Sequence, residues 1–209
     1  MKVKTSNLDK IIFPREKYTK GDLIEYYKKI AKWMLPHIKD RPVVMRRFPD
    51  GIKKEGFYQK QAGEYFPEWL KTKKVTLEQG GRQDLVTVSK KEDLIYLANQ
   101  AVVTPHIWLS RVDKLHYPDK LIFDLDPANK NDFKMVKFAA TKLKDIMQEK
   151  GLAPFIMTTG SKGLHVVCPI KRNANFDKAR QIAKETAQDL VKKYPDKFSF
   201  HNYFDEGMA

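Results

Sequence analysis

A mixed α+β fold is what this sequence predicts, and three observations predict it. Helix-spaced apolar stretches and short apolar or alternating strand-like stretches occur along the same chain. Some of the strand-like stretches are joined by short glycine-bearing turns, as in hairpins, where a regular parallel sheet needs a crossover between each pair. The composition, 42% hydrophobic and 32% charged over 209 residues, is that of a globular chain with enough length for one large core or two smaller ones.

The elements follow in order. From Thr19 to His37 the apolar positions Leu23, Tyr26, Tyr27, Ile30, Met34 and Leu35 have helical spacing, with Thr19 or Asp22 as the cap. Pro42 to Arg47 reads as a strand closed by the turn Pro49-Asp50-Gly51. Leu85 to Val88 reads as a strand and Lys91 to Gln100 as a helix. Leu121 to Leu125 is an apolar strand that runs into acidic residues, and Phe133 to Lys150 is an amphipathic helix stopped by Gly151. Phe155 to Thr159 and Leu164 to Ile170 are strands flanking the loop Thr159-Gly160-Ser161-Lys162-Gly163. Asp177 to Lys193 is a helix that ends before Pro195. No internal repeat or low-complexity tract interrupts this order.

The net charge of +14 points to a polyanionic partner, because lysine and arginine gain affinity by releasing the counterions of a phosphate backbone. The single cysteine, Cys168, excludes an internal disulfide, and it sits in an apolar run as a small core residue. No segment approaches the ~20 apolar residues of a membrane helix. The expectation is a cytoplasmic protein without membrane contact.

Four constellations carry chemistry. In Ile122-Phe123-Asp124-Leu125-Asp126-Pro127, strand alternation puts Asp124 and Asp126 on one face, where their mutual repulsion is relieved by a hard divalent cation. The same residues also read as a turn after a strand. In Thr159 to Gly163, two glycines around Ser161-Lys162 form a tight loop whose N–H groups suit phosphate oxygens, and His165 opens the next strand. The spacing is not that of a Walker loop, and an ordinary hairpin turn is the other reading. In Thr104-Pro105-His106, the histidine serves either a phosphate, a metal site or the core. Finally, Asn7, Lys10, Lys20, Arg46, Arg47, Lys53 and Lys54 accompany Phe57-Tyr58-Gln59-Lys60, a basic and aromatic set of the kind that positions a backbone and stacks on bases.

Taken together, these motifs resemble the polymerase domain of bacterial and archaeal DNA ligase D, a member of the archaeo-eukaryotic primase superfamily. The resemblance covers roughly residues 5 to 197. It rests on Ser6-Asn7-Leu8-Asp9-Lys10, Arg47-Phe48-Pro49-Asp50-Gly51, Phe57-Tyr58-Gln59-Lys60, Thr104-Pro105-His106, Phe123-Asp124-Leu125-Asp126-Pro127 and Gly160-Ser161-Lys162-Gly163-Leu164-His165-Val166. It implies a primase-like two-layer mixed or antiparallel sheet flanked by helices, with an N-terminal α/β subregion. The expected organisation is one domain over 1–209, with a DNA-end-binding part at 1–115 and a metal- and nucleotide-binding part at 116–209.

The resemblance also implies roles. Asp124 and Asp126 would hold Mn2+ or Mg2+. Thr159, Ser161, Lys162 and His165 would hold the incoming NTP or dNTP, with His106 and Lys60 assisting and Arg47 near the nucleotide or template. Asn7, Lys10 and Lys20 would recognise the 5′-phosphate of a gapped or broken DNA end, and Phe57 and Tyr58 would stack on its base. The implied activity is template-dependent nucleotide addition in end joining, beside Ku and a DNA ligase. One feature departs from the family pattern. A third metal-binding aspartate belongs on a later strand, whereas this sequence offers Asp205 in the dissimilar Tyr203-Phe204-Asp205-Glu206 and reads as shortened at its C-terminal end. A DNA-end binder without catalysis and an RNA-directed relative are the alternatives.

Overall fold

The computed structural model describes residues 3–76, 80–127, 129 and 132–199. They divide into two compact units, Met1–Asp113 and Lys114–Ala209. The α+β expectation is met: the helices accompany sheets whose named strands all pair antiparallel.

The first unit contains β1 (Ile11–Phe13), β2 (Tyr18–Thr19), α1 (Lys20–Ile38), β3 (Pro42–Arg47), β4 (Phe57–Gln59), β5 (Thr72–Thr76), β6 (Arg82–Thr87), α2 (Lys91–Asn99) and β7 (Val102–Ile107). Strands β1 and β2 form a small hairpin. In the main sheet, β4 pairs with the end of β3, β6 with its start, and β7 with Val43–Arg47. Strand β5 extends β6.

Helix α1 starts at Lys20 because Thr19 caps it. Its hydroxyl accepts from the Asp22 N–H at 3.2 Å, and the Asp22 carboxylate accepts from the Thr19 N–H at 2.8 Å. The helix buries Leu23, Ile24, Tyr27, Ala31 and Ile38 against Val43, Met45, Val86 and Val102 of the sheet and Leu94, Leu97 and Ala98 of α2. The Tyr27 hydroxyl, inside this core, donates to the Val102 carbonyl at 3.0 Å. That bond satisfies a polar tip that would otherwise be buried unpaired.

The second unit contains β8 (Lys120–Leu125), α3 (Phe133–Glu149), β9 (Phe155–Thr158), β10 (Leu164–Pro169) and α4 (Phe176–Lys193). Its sheet runs β8-β10-β9. One face places Leu121, Phe123, Leu164, Val166 and Cys168 against Val136, Ala140, Leu143 and Met147 of α3 and Ala179 of α4. Cys168 is fully buried, and burial raises its thiol pKa, as befits a core residue rather than a nucleophile. The opposite face of the sheet carries Asp124 and His165, which sit directly across from each other in register.

Five strands go beyond the sequence reading, and each has a physical reason. β1, β2 and β4 span only three, two and three residues, too few for periodicity to register. β5, Thr-Lys-Lys-Val-Thr, lies at the sheet edge and buries only Val75. β7 contains Pro105, which argues against a strand except where its missing N–H goes unneeded.

Candidate functional site

Strand alternation brings the second unit's acidic residues to one face. Phe123 points into the core, so Asp124 points away from it, and Asp126, just past the end of β8, follows the same sense. Both carboxylates are exposed. His165 Nε2 lies 3.2 Å from Asp124 Oδ1. The other ring nitrogen, Nδ1, is buried with no hydrogen-bond partner. Donation of Nε2–H to Asp124 therefore leaves only a lone pair buried at Nδ1, and the carboxylate fixes the ring's orientation.

The glycine-flanked loop is fastened to the same place. A β-carbon on Gly163 would fall 2.5 Å from Asp126 Oδ1 and 2.5 Å from the Leu125 carbonyl oxygen. Only glycine permits that approach, so the loop and the acidic strand end are in contact. Gly160 has a different requirement, since its φ of +76° lies in the left-handed region while the space around it is open. Thr159 closes the loop from within: its hydroxyl donates to the Gly163 carbonyl at 3.1 Å and accepts from the Ser161 N–H at 3.2 Å. That hydroxyl, expected to face a nucleotide, is used inside the loop. Ser161 and Lys162 remain exposed at its tip.

Two exposed carboxylates two residues apart fit a divalent cation held by one or two protein oxygens, with phosphate oxygens and water completing its shell. Among the described residues, no group of three or more His, Cys, Asp or Glu side chains is gathered as a full protein cage. Asp205, the sequence candidate for a third carboxylate, lies outside the described residues.

In the first unit, the basic and aromatic set divides between two faces. Register pairs Arg46 with Tyr58 and Val44 with His106, so Arg46, Tyr58 and His106 share one face. The Tyr58 and His106 rings are 5.4 Å apart, and the Arg46 guanidinium lies 5.5 Å from the Tyr58 ring. Burial first, and then the Arg46 charge, lower the His106 pKa. The measured midpoint of His106 should therefore fall below 6.5 in an NMR titration and rise only part of the way back in Arg46→Met, because burial is the larger cause. A His106 midpoint unchanged by the substitution would show that Arg46 does not act on the ring.

Phe57 alternates to the other face, with Arg47. The two rings, both expected to stack on a base, therefore leave β4 on opposite faces. Arg47, expected near the nucleotide or template, is held by internal acceptors. It donates to Gln100 O, Gln100 Oε1, Gln59 Oε1 and Tyr65 Oη at 2.9, 2.9, 2.6 and 2.6 Å, while its guanidinium lies 5.4 Å from the Phe57 ring. These bonds make it a strut between β3, β4 and the end of α2. Lys60, just after β4, is exposed.

Asn7, Lys10 and Lys20 converge. Asn7 adopts a φ of 51° in a turn whose carbonyl accepts from the Lys10 N–H, and the Lys20 N–H donates to the Lys10 carbonyl at 2.7 Å. The Lys10 ammonium is held by Asp50 at 2.8 Å. Lys20 is buried, its ammonium reaching the Asn99 carbonyl at 3.2 Å, and burial followed by the nearby Lys10 charge lowers its pKa. Sequence reading missed Asn99, which also accepts the Ser6 N–H on its side chain at 3.0 Å and so ties the N-terminal segment to the end of α2. Nothing in local sequence marks that residue, because its partners lie 79 and 93 positions away.

An antiparallel α+β architecture with a carboxylate pair beside a glycine-flanked loop is the form of a primase-type polymerase domain. The chain belongs to the family described as LigD, primase-polymerase domain, whose model matches residues 19–204. It is 30% identical over 196 residues to the multifunctional non-homologous end joining protein LigD of Mycolicibacterium smegmatis, a match covering 93% of this chain and 26% of the relative. To the bifunctional non-homologous end joining protein LigD of Bacillus subtilis it is 29% identical over 199 residues, covering 95% and 32%. The chain thus spans about a quarter to a third of the length of these curated relatives. The solved polymerase domain from Mycobacterium tuberculosis ligase D, in complex with DNA, superposes with a TM-score of 0.87 at 30% identity, covering 93% of this chain and 70% of that one. The resemblance read from the sequence motifs is confirmed as family membership. No helix among the described residues is long and apolar enough to cross a membrane.

Proposed function

We propose that the chain adds nucleotides to DNA ends or gaps during end-joining repair, as a template-dependent nucleotidyltransferase working beside Ku and a DNA ligase in the cytoplasm. The observation that carries this reading is the contact between two chemically distinct parts: the Asp124–His165 pair with Asp126, and the loop whose Gly163 packs on Asp126. One part gathers cations and the other suits a triphosphate.

Asp124 and Asp126 are the residues that would hold Mn2+ or Mg2+. Such a cation, when bound, lowers the pKa of the attacking hydroxyl and neutralises charge on the phosphates. The backbone N–H groups of the loop and the Lys162 ammonium orient the triphosphate. His165 acts at this site through Asp124, whose carboxylate it holds in place by donating Nε2–H. The primer's 3′-hydroxyl oxygen forms a bond to the α-phosphorus as its proton passes to water, the bond from that phosphorus to the bridging oxygen breaks, and pyrophosphate leaves. Of the first-unit residues, Asn7, Lys10 and Lys20 receive the 5′-phosphate of the DNA end, and Tyr58 and Phe57 offer rings from opposite faces. His106 and Lys60 support the nucleotide or template.

Two measurements test this reading. The chain should extend a gapped primer with NTP and Mn2+, and it should bind a 5′-phosphorylated gap more tightly than a 5′-hydroxyl gap. Lys20→Met should remove most of that preference, roughly tenfold for one charge-assisted contact. A folded chain that keeps the 5′-phosphate preference but extends nothing would be an end-binding protein without catalysis. Equal affinity for both gaps would remove the end-binding part of the proposal.

A further inference from the structure

We propose that the outer face of α1 is a binding surface for single-stranded nucleic acid, built from residues other than those of the 5′-phosphate cluster. The helix buries one stripe and leaves the opposite one open. On that open stripe stand two of the most exposed aromatic rings in the first unit, Tyr26 at 56% and Trp33 at 62% relative exposure. Seven residues separate them, about 10 Å along the axis, so both rings point the same way. The core needs neither ring, since Tyr27, Ala31 and Ile38 fill it.

Charge surrounds the rings. Lys29 and Lys32 are exposed beside Trp33, and the Lys32 ammonium lies 4.0 Å from the Trp33 ring centre. From Tyr26 to Lys39 the helix and its cap contain no acidic residue. The neighbouring acid on the preceding turn, Glu25, is bound by Lys28, and Lys29 and Lys91 lie close enough to act on it as well. The surface is therefore a pair of stacking planes set among cations; of its two nearby carboxylates, Glu25 is paired with Lys28, and Asp22, one turn before Tyr26, is held by the Thr19 N–H and hydroxyl.

This chemistry fits an unpaired strand. Every base has a face that stacks on an aromatic ring, and every phosphate has a charge for lysine. A duplex hides its base faces and offers nothing to Trp33. An acidic peptide would satisfy the lysines, but its apolar anchors insert into pockets, and a convex helix face offers planes instead.

The test uses the full chain and an oligothymidylate with a 5′-hydroxyl, which bypasses the 5′-phosphate cluster. Affinity is read in every variant from the fluorescence anisotropy of a labelled oligothymidylate; in the wild-type chain binding should also quench tryptophan fluorescence, chiefly that of Trp33, because Trp69 and Trp108 are less exposed. Trp33→Ala should weaken binding about tenfold, and Trp33→Phe should recover part of that loss. Lys29→Ala with Lys32→Ala should reduce the slope of log affinity against log salt by about two. All three positions are on the exposed face, so the melting temperature should hold. Unchanged oligothymidylate affinity in Trp33→Ala and in the double lysine variant would overturn the proposal. So would polyglutamate that quenches Trp33 and displaces the oligonucleotide at equal charge concentration, which would mark a docking face for an acidic protein.

Discussion

Asp126→Asn should lower primer extension by on the order of 10³-fold while leaving the fold intact. The side chain is exposed, so the substitution buries nothing new, and asparagine keeps the shape that Gly163 packs against. Only the negative charge is lost. Its expected consequence is weaker cation affinity, and raising Mn2+ should restore part of the rate. Asp124→Asn differs in one respect. Its carboxylate also accepts a hydrogen bond from His165 Nε2–H, and an amide can turn an N–H toward that ring instead. Asp124→Asn should therefore recover less with added Mn2+ than Asp126→Asn, because the His165 orientation is lost with the charge. Steady-state extension against Mn2+ concentration, with melting curves as a fold control, separates the two. Extension within tenfold of wild type in either variant would remove the carboxylates from the chemistry.

The contrast between the two units shows where a sequence is readable. In the second unit, the acidic strand and the glycine-flanked loop are local patterns. Alternation of two placed Asp124 and Asp126 on one face, and the glycines marked a tight turn, so position followed from spacing. What spacing left out was the contact between Gly163 and Asp126, which depends on how β8 and β10 pair. In the first unit, residue type was a poorer guide. Lys20 and Arg47 look like surface cations in the sequence. Lys20 instead opens a helix that draws it against the Asn99 carbonyl at the end of α2, and Arg47 stands on the core-facing side of β3, where four acceptors surround it. Phe57 and Tyr58 look like a pair, yet a strand separates adjacent residues. Long side chains with apolar stems take their surroundings from tertiary pairing, which one sequence does not display.

That same pairing makes the two loop glycines inequivalent, and substitution should reveal it. Gly160 needs a left-handed backbone and has open space for a side chain. Gly160→Asn should be nearly neutral, because asparagine tolerates that conformation, and Gly160→Ala should cost about 1 kcal/mol. Gly163 needs no special φ but has no room. An added methyl group meets a backbone carbonyl oxygen and a carboxylate oxygen, each at 2.5 Å, and the carbonyl cannot rotate aside. Either the loop lifts away from β8 or the strand end carrying Asp126 shifts. The strain should cost about 1–3 kcal/mol of stability. The larger effect should fall on function, since a displacement of about 1 Å between the loop and the acidic pair is enough to lose about 10²-fold in rate. Gly163→Ala should accordingly show weak nucleotide binding by calorimetry and slow extension, while Gly160→Asn retains both. Equal damage from the two substitutions would mean that loop flexibility, and not the packing of Gly163 on Asp126, is what the site requires.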